Sequence, residues 1–252
     1  MDPLTITAAA GLRSRLEALD LLANNISNAS TSGFKADREA YSLYLGEDSQ
    51  NAAATGEGEA QVTAPHIETH RTDFSQGQLK VTGSTTDLAL DGSGFFVVDG
   101  PNGTLLTRTG TVKVTADGKF TTVDGYEFAT VEPRRIRLDP LKSFTVSADG
   151  TVSQDGQPMG RLKLAGVDTT TQPPKREGVY FAIDTKADST NQTKLTASTA
   201  VVRQGQVESS NYSPSEASVR LVGVLRQFES LQKAIQIGTD MSRKAVEEVA
   251  RV

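Results

Sequence analysis

The side chains able to do chemistry are few, and their spacing does not favour it. His66 and His70 are the only histidines in 252 residues. On a helix, positions four apart would place both imidazoles on one face, and Asp73 would offer a third ligand to a metal such as zinc. Pro65 precedes them, however, and the flanks read as extended chain, so the pair reads as two loop or strand histidines. Gly92-Ser93-Gly94 is a lone Gly-x-Gly with neither a third glycine nor a phosphate-loop lysine. It reads as a turn ahead of the apolar run from Phe95 to Val98. Paired carboxylates could serve a glycosidase only at a defined separation in a cleft. Among 31 acids no spacing singles out such a pair. There is no Gly-x-Ser-x-Gly nucleophile elbow. The absence of cysteine excludes disulfides, thiolate catalysis and cysteine-ligated metals. The expectation is a chain that is not an enzyme and has no catalytic residues, no cofactor and no metal.

Bulk properties narrow the partners. The formal net charge is −5, and lysine and arginine are not clustered, so nothing here neutralises a phosphate backbone. No apolar run approaches the roughly 20 residues of a membrane span. Nucleic acid and membrane insertion are therefore not expected. The start, Met1-Asp2-Pro3-Leu4-Thr5, lacks a basic region, and Arg13, Arg15 and Glu17 interrupt any apolar stretch. A cleaved signal peptide is not expected either.

The elements that would position any site fall into four stretches. Residues 1–35 read as a helix followed by a Gly-Phe-Lys turn. Asp2 can cap it, Pro3 suits the first helical position, and Leu12, Leu16, Leu19, Ala23 and Ile26 alternate four and three apart. Residues 36–75 read as an irregular connector, with 51–59 a polar loop. Residues 76–206 read as β-rich. Valine-, threonine- and phenylalanine-rich runs alternate with Asp-Gly at Asp91, Asp99, Asp117, Asp124, Asp149 and Asp155, the dipeptide of tight hairpin turns. Residues 207–252 lead into a second helix. Ser213-Pro214-Ser215-Glu216 is a capping box, and Ala217, Leu221, Val224, Phe228, Leu231, Ile235, Gly238, Ser242, Ala245 and Val249 again alternate four and three. The fold expected is mainly β: an antiparallel domain between terminal α-helices that share a coiled-coil-like seam. Flanking residues such as Leu4, Leu21, Leu22, Val222, Leu225 and Ile237 remain for burial elsewhere. Periodicity alone leaves two readings open: helices that assemble with other copies, or a private helical hairpin on a monomeric β domain.

Three blocks, in order, resemble the flagellar basal-body rod and hook family. Residues 22–35, Leu-Ala-Asn-Asn-Ile-Ser-Asn-Ala-Ser-Thr-Ser-Gly-Phe-Lys, resemble the family's N-terminal signature, with Asn24, Asn25, Asn28, Gly33, Phe34 and Lys35 its marked positions. Gly77-Gln78-Leu79, the run from Thr86 to Val98, Leu106-Thr107-Arg108-Thr109-Gly110 and Asp117-Gly118-Lys119-Phe120 resemble its central motif. Val207-Glu208-Ser209-Ser210-Asn211 and Arg226-Gln227-Phe228-Glu229 resemble its C-terminal pattern. Tyr212, and the stretch from Ser215 to Ser218, depart from it. The length and Gly160-Arg161-Leu162-Lys163-Leu164 look most like the proximal rod type, with the distal rod type next.

The resemblance implies a self-assembling structural subunit of the axial rod. It implies export through the flagellar type III apparatus without a cleaved signal, a periplasmic place in the basal body, and partners that are copies of itself and other rod proteins. It implies subunit contacts through the terminal helices, at Leu12, Leu16, Leu19, Ile26, Leu221, Val224, Phe228, Leu231 and Ile235. A secreted β-rich binding module with a helical stalk is the alternative from another class, and a polysaccharide-active enzyme is a third.

Overall fold

The computed structural model describes residues 3–44, 64–167, 173–176, 178–183 and 195–249. They divide into two compact units. A helical unit takes residues 1–27, 37–71 and 213–252, and a β unit takes 28–36 and 72–212.

The β unit begins from an apolar run that cannot be half-exposed. In strand Phe95–Gly100, Phe95 and Val97 point to one face of the sheet, and Phe96 and Val98 point to the other. All four are buried, because both faces are covered. The larger cluster gathers Phe96, Val98, Leu88, Leu90, Phe120, Phe128, Phe144 and Val152; the smaller gathers Phe95, Val97, Leu106, Ala165 and Phe181. Strand order in the main sheet is Lys175–Arg176, Tyr180–Ala182, Gly103–Thr107, Phe95–Gly100, Glu127–Phe128, Phe120–Thr122 and Val112–Val114. Leu164–Val167 also pairs with Phe95–Gly100 and carries Leu195–Ala197 beyond it. A separate meander joins Phe144–Val146, Thr151–Gln154 and Gln157–Arg161. The late strands return to early ones: Val201–Gln204 pairs with Leu88–Asp91, and Gln206–Glu208 with Leu79–Val81. All these ladders are antiparallel, as the sequence predicts.

The Asp-Gly turns hold in part. Asp155 (φ 52°) and Gly156 (φ 76°) both take the left-handed conformation, which a two-residue hairpin turn requires. Asp99-Gly100 is not a turn but the end of a strand; the reversal falls on Pro101-Asn102.

In the helical unit, α1 spans Pro3–Ser27 and α2 spans Pro214–Val249. Helix α2 starts at the predicted proline, with the Ala217 amide donating to the Ser213 carbonyl at 3.0 Å. The two helices run antiparallel: Gly11 faces Leu231, and Ala18 packs with Val224. The expected irregularity of 36–75 is corrected. Strands Asp37–Tyr44 and Ala64–Thr72 pair there. No local turn signal announces the pair, because its strands are separated by residues 45–63. The start of the first strand is fixed by Asn25, whose side-chain amide donates to the Asp37 carbonyl (2.8 Å) and accepts from the Asp37 amide (3.0 Å). The loop expected at 51–59 lies outside the described residues.

A candidate junction site built from three sequence blocks

The β unit consists of one short stretch and one long one, and its most unusual feature is where they meet. Lys35, Arg108 and Glu208 are all buried, with residue exposures of 0%, 3% and 1%. They come from chain positions far apart, yet they form one ion cluster. The Lys35 Nζ donates to Glu208 Oε1 at 2.5 Å and to the Ser75 carbonyl at 2.7 Å. Arg108 Nη1 donates to Glu208 Oε2 at 3.1 Å, and Nη2 to the Gly92 carbonyl at 2.9 Å. The Gly77 amide donates to Glu208 Oε1 at 2.8 Å. One carboxylate therefore serves two cations and a backbone amide. Removal from water pushes the Lys35 ammonium below its ordinary range, while Glu208 opposes the shift. Burial likewise lowers Arg108, again against Glu208.

Close backbone approach makes the cluster possible. Gly33 has φ +71°, and a Cβ there would lie 2.6 Å from the Arg108 carbonyl carbon and the Thr109 nitrogen. Its amide donates to the Glu208 carbonyl at 2.7 Å. A Cβ at Gly77 would fall 2.0 Å from the Ser209 carbonyl oxygen. Phe34 is fully buried, with the Lys175 ammonium 4.1 Å from its ring centroid. Asn211 then ties the short stretch to both ends of the long one. Its Oδ1 accepts from the Ala36 amide (2.8 Å), its Nδ2 donates to the Asp73 carbonyl (2.7 Å), and its own amide donates to the Phe34 carbonyl (3.3 Å).

The marked positions of the N-terminal block thus have distinct places. Asn25 pairs with Asp37, Asn28 accepts from Thr31 Oγ1 at 3.3 Å within a turn, and Gly33, Phe34 and Lys35 enter the cluster region; Asn24 is exposed. Arg108, Glu208 and Asn211 sit in sequence blocks singled out above, but sequence reasoning gave them no role. The signal was there: a charged residue in each block, with opposite signs.

The interface residues expected on the helices are placed unevenly. On α2, Val224 is buried, and Leu221, Phe228, Leu231 and Ile235 are half-buried. On α1, the buried positions among the described side chains are Ala8, Ser14, Ala18, Leu22 and Asn25. The stripe Leu12, Leu16, Leu19, Ala23 and Ile26 lies beside that face. Leu12 and Leu19 are half-buried, Leu16 is 51% exposed and Ile26 37%. Small residues at Ala8, Gly11 and Ala18 let the two backbones approach, so the helix pair uses them rather than the larger leucines. Among the flanking apolar residues, Leu22 is buried, whereas Val222, Leu225 and Ile237 are exposed. His66 and His70 lie on the strand Ala64–Thr72, so the helical spacing that would have paired them does not arise.

Family models match the same three regions. The model described as flagella basal body rod protein matches residues 7–35, the flagellar hook protein FlgE/F/G D1 domain matches 89–154, and the flagellar basal body rod FlgEFG protein C-terminal matches 203–248. The flagellar basal-body rod protein FlgF of Caulobacter vibrioides is 31% identical over 236 residues, covering 93% of this chain and 92% of that one. FlgF of Salmonella typhimurium is 29% identical, covering 93% of each chain. FlgG of Bacillus subtilis is 26% identical, covering 94% of this chain and 95% of its own. A chain aligned almost end to end with these proteins, whose three matched regions supply the buried cluster, belongs to the family of flagellar basal-body rod proteins.

Proposed function

We propose that this chain is a structural, non-catalytic subunit of the axial rod, which polymerises with its own copies and with other rod proteins through α1 and α2. The observation that carries this reading is the second apolar stripe of α1. Helix α2 packs on the small-residue face, which leaves Leu16, Ala23 and Ile26 exposed. On α2, Val219, Val222, Leu225 and Ile237 are exposed as well. Two surface-exposed apolar faces on one helix pair suit burial against neighbours, each large side chain contributing about 1.5–3 kcal/mol when covered. A contact between unlike faces repeats without closing and gives a helical filament.

In this reading Leu12, Leu16, Leu19 and Ile26 serve neighbouring subunits together with the outer residues of α2. Leu221, Val224, Phe228, Leu231 and Ile235 chiefly hold α1 within the protomer. The proximal-rod type is favoured by the FlgF identity of 31% over nearly the whole chain. The reading also has the subunit leave the cytoplasm through the flagellar export apparatus, act in the periplasmic part of the basal body, and keep its N-terminal residues. The mass of the subunit in purified basal bodies checks the last point.

The central test is Leu16→Asp in cells. Helix α1 and its packing on α2 should survive, because Leu16 is exposed, while incorporation into basal bodies is lost. Normal rods built from that variant would overturn the reading.

A further inference from the structure

Helix α1 ends at Ser27 and α2 begins at Pro214, so residues 28–213 separate the two in sequence. Inside the β unit that separation collapses. The Gly33 amide donates to the Glu208 carbonyl, the Asn211 amide donates to the Phe34 carbonyl, and the Ala36 amide donates to Asn211 Oδ1. The chain leaves both sides of this junction by hydrogen-bonded turns. On one side the Thr31 amide donates to the Asn28 carbonyl at 3.0 Å, and Thr109 Oγ1 donates to the Ser32 carbonyl at 2.9 Å. On the other, the Tyr212 amide donates to Ser210 Oγ at 3.2 Å, and the Ser213 carbonyl already accepts from the Ala217 amide of α2. Asn211 lies in no strand, yet its side chain uses both polar atoms. Its Nδ2 reaches the Asp73 carbonyl and, at 3.2 Å, Ser75 Oγ.

We propose that Asn211 is the positioning residue of a clamp, built with Gly33, Phe34, Ala36 and Glu208, that brings α1 and α2 together and sets their register. The first ground is chain length. With the clamp closed, only residues 28–33 and 212–213 lie between the helix ends and the junction, in place of 28–213. Loop closure weakens as the three-halves power of length, so the clamp raises the local concentration of one helix at the other by roughly a hundredfold. The second ground is need. The face of α1 against α2 is built on small residues such as Gly11 and Ala18, and isolated helices are marginal. The third is register. On α2 the seam repeats through Ala217, Val224 and Leu231, so sliding by one heptad again sets apolar residues on it. An anchor at one end of the pair removes that ambiguity. The side-chain bonds of Asn211 belong to no β ladder, so their place in the fold is to fix where the chain enters α2. The inference concerns the free subunit and does not depend on polymerisation.

Amide exchange on the dilute full chain tests it, together with spin labels at Asp20→Cys and Gln227→Cys, exposed sites in a chain with no cysteine of its own. The labels read register, which a mere change in stability would not move. Asn211→Ala should quicken exchange in α1 and α2 about tenfold, the worth of one to two net hydrogen bonds. It should also broaden the label distance, while the amides of Val97, Val98 and Leu106 stay protected. An insertion of about twelve flexible Gly-Ser residues between Tyr212 and Ser213 breaks no clamp bond but lengthens the tether, and should quicken exchange in α2 about fourfold. Unchanged exchange and an unchanged label distance in both variants would mean that the helices pair without the clamp, and would overturn the proposal. Equal quickening of the β ladder and the helices in Asn211→Ala would make Asn211 a structural residue of the β unit, and would overturn it as well.

Discussion

The β unit and the helical unit bury very different side chains. Among the largest fully buried residues of the β unit are Phe96, Phe120, Phe128, Phe181 and Tyr180. Among the described side chains of the helical unit the buried positions are Ala8, Ser14, Ala18, Asn25, Ala217 and Gly238, with Leu22 and Val224 as the larger aliphatics. A large apolar side chain contributes about 1.5–3 kcal/mol on burial, and an alanine much less. Burial among the described residues therefore favours the β unit, while the helices keep exposed leucines at Leu16 and Leu225. Helices with so little tertiary packing are marginal by themselves. On the reading proposed above, the difference is a division of labour: one part stable before assembly, the other completed by it.

The sharpest way to break the comparison is to attack the β unit at its ion cluster. Glu208→Gln leaves Lys35 and Arg108 buried together without the carboxylate that bonds them both. Stability should fall by about 3–5 kcal/mol, the usual consequence of stripping one partner from a buried pair. Urea denaturation monitored by circular dichroism reads it. A loss below about 1 kcal/mol would mean that the cluster does not organise the unit.

Leu231→Asp probes the other side. Leu231 lies against Gly11, so the substitution should loosen the helix pair by about 2 kcal/mol, through lost burial and an ill-solvated charge. Amide exchange in α1 and α2 should quicken while the β-unit strands stay protected. Equal loss of protection in both units would erase the proposed division. Leu16→Asp, by contrast, should leave exchange in α1 unchanged and act only on assembly.

These two leucines also show what was legible in the sequence. Periodicity located both helices, and on α2 the seam through Ala217, Val224 and Leu231 matches the positions that are covered. On α1 the same reasoning followed the leucines, and the covered face lies one position earlier, on Ala8, Gly11, Ala18, Leu22 and Asn25. Hydrophobic size marks where apolar surface is, not which stripe a particular partner takes. The β class was legible because Asp-Gly turns and Phe-Phe-Val-Val are local signals. The strands at 37–44 and 64–72 were not, because their pairing is long-range. Lys35 and Glu208 were visible as residues of the family pattern. Their bond was not, since nothing local links positions 173 residues apart.

Tyr180 tests the β unit more gently. Its hydroxyl bonds with Asp124 Oδ2 at 2.5 Å and Thr122 Oγ1 at 3.2 Å. Burial, and then the Asp124 carboxylate, raise the phenol well above its ordinary value of 10.0. The folded state therefore favours the neutral phenol. That stabilisation is fully present below pH 10 and is lost as pH climbs through the raised value. Ultraviolet titration should show a late ionisation that coincides with unfolding, and Tyr180→Phe should abolish it. The variant should also lose about 1–2 kcal/mol, because Asp124 and Thr122 lose a partner. A Tyr180 that ionises in the ordinary range without unfolding would contradict the geometry.

The smallest expected effect has the opposite sign. Ser14 sits on the covered face of α1, and its buried hydroxyl has no hydrogen-bond partner. Ser14→Ala removes that unsatisfied group and improves helix propensity, so the helical unit should gain about 1 kcal/mol. The gain should appear as slower amide exchange in α1 and α2, with the β unit unchanged. It separates two explanations of the thin helical core. If the helices are weak because their inner face is poorly satisfied, Ser14→Ala strengthens them in the free subunit. If Ser14 instead finds its partner only in the assembled rod, the variant gains as a monomer and loses in the polymer. In that case basal bodies should dissociate more readily although the subunit itself is more stable.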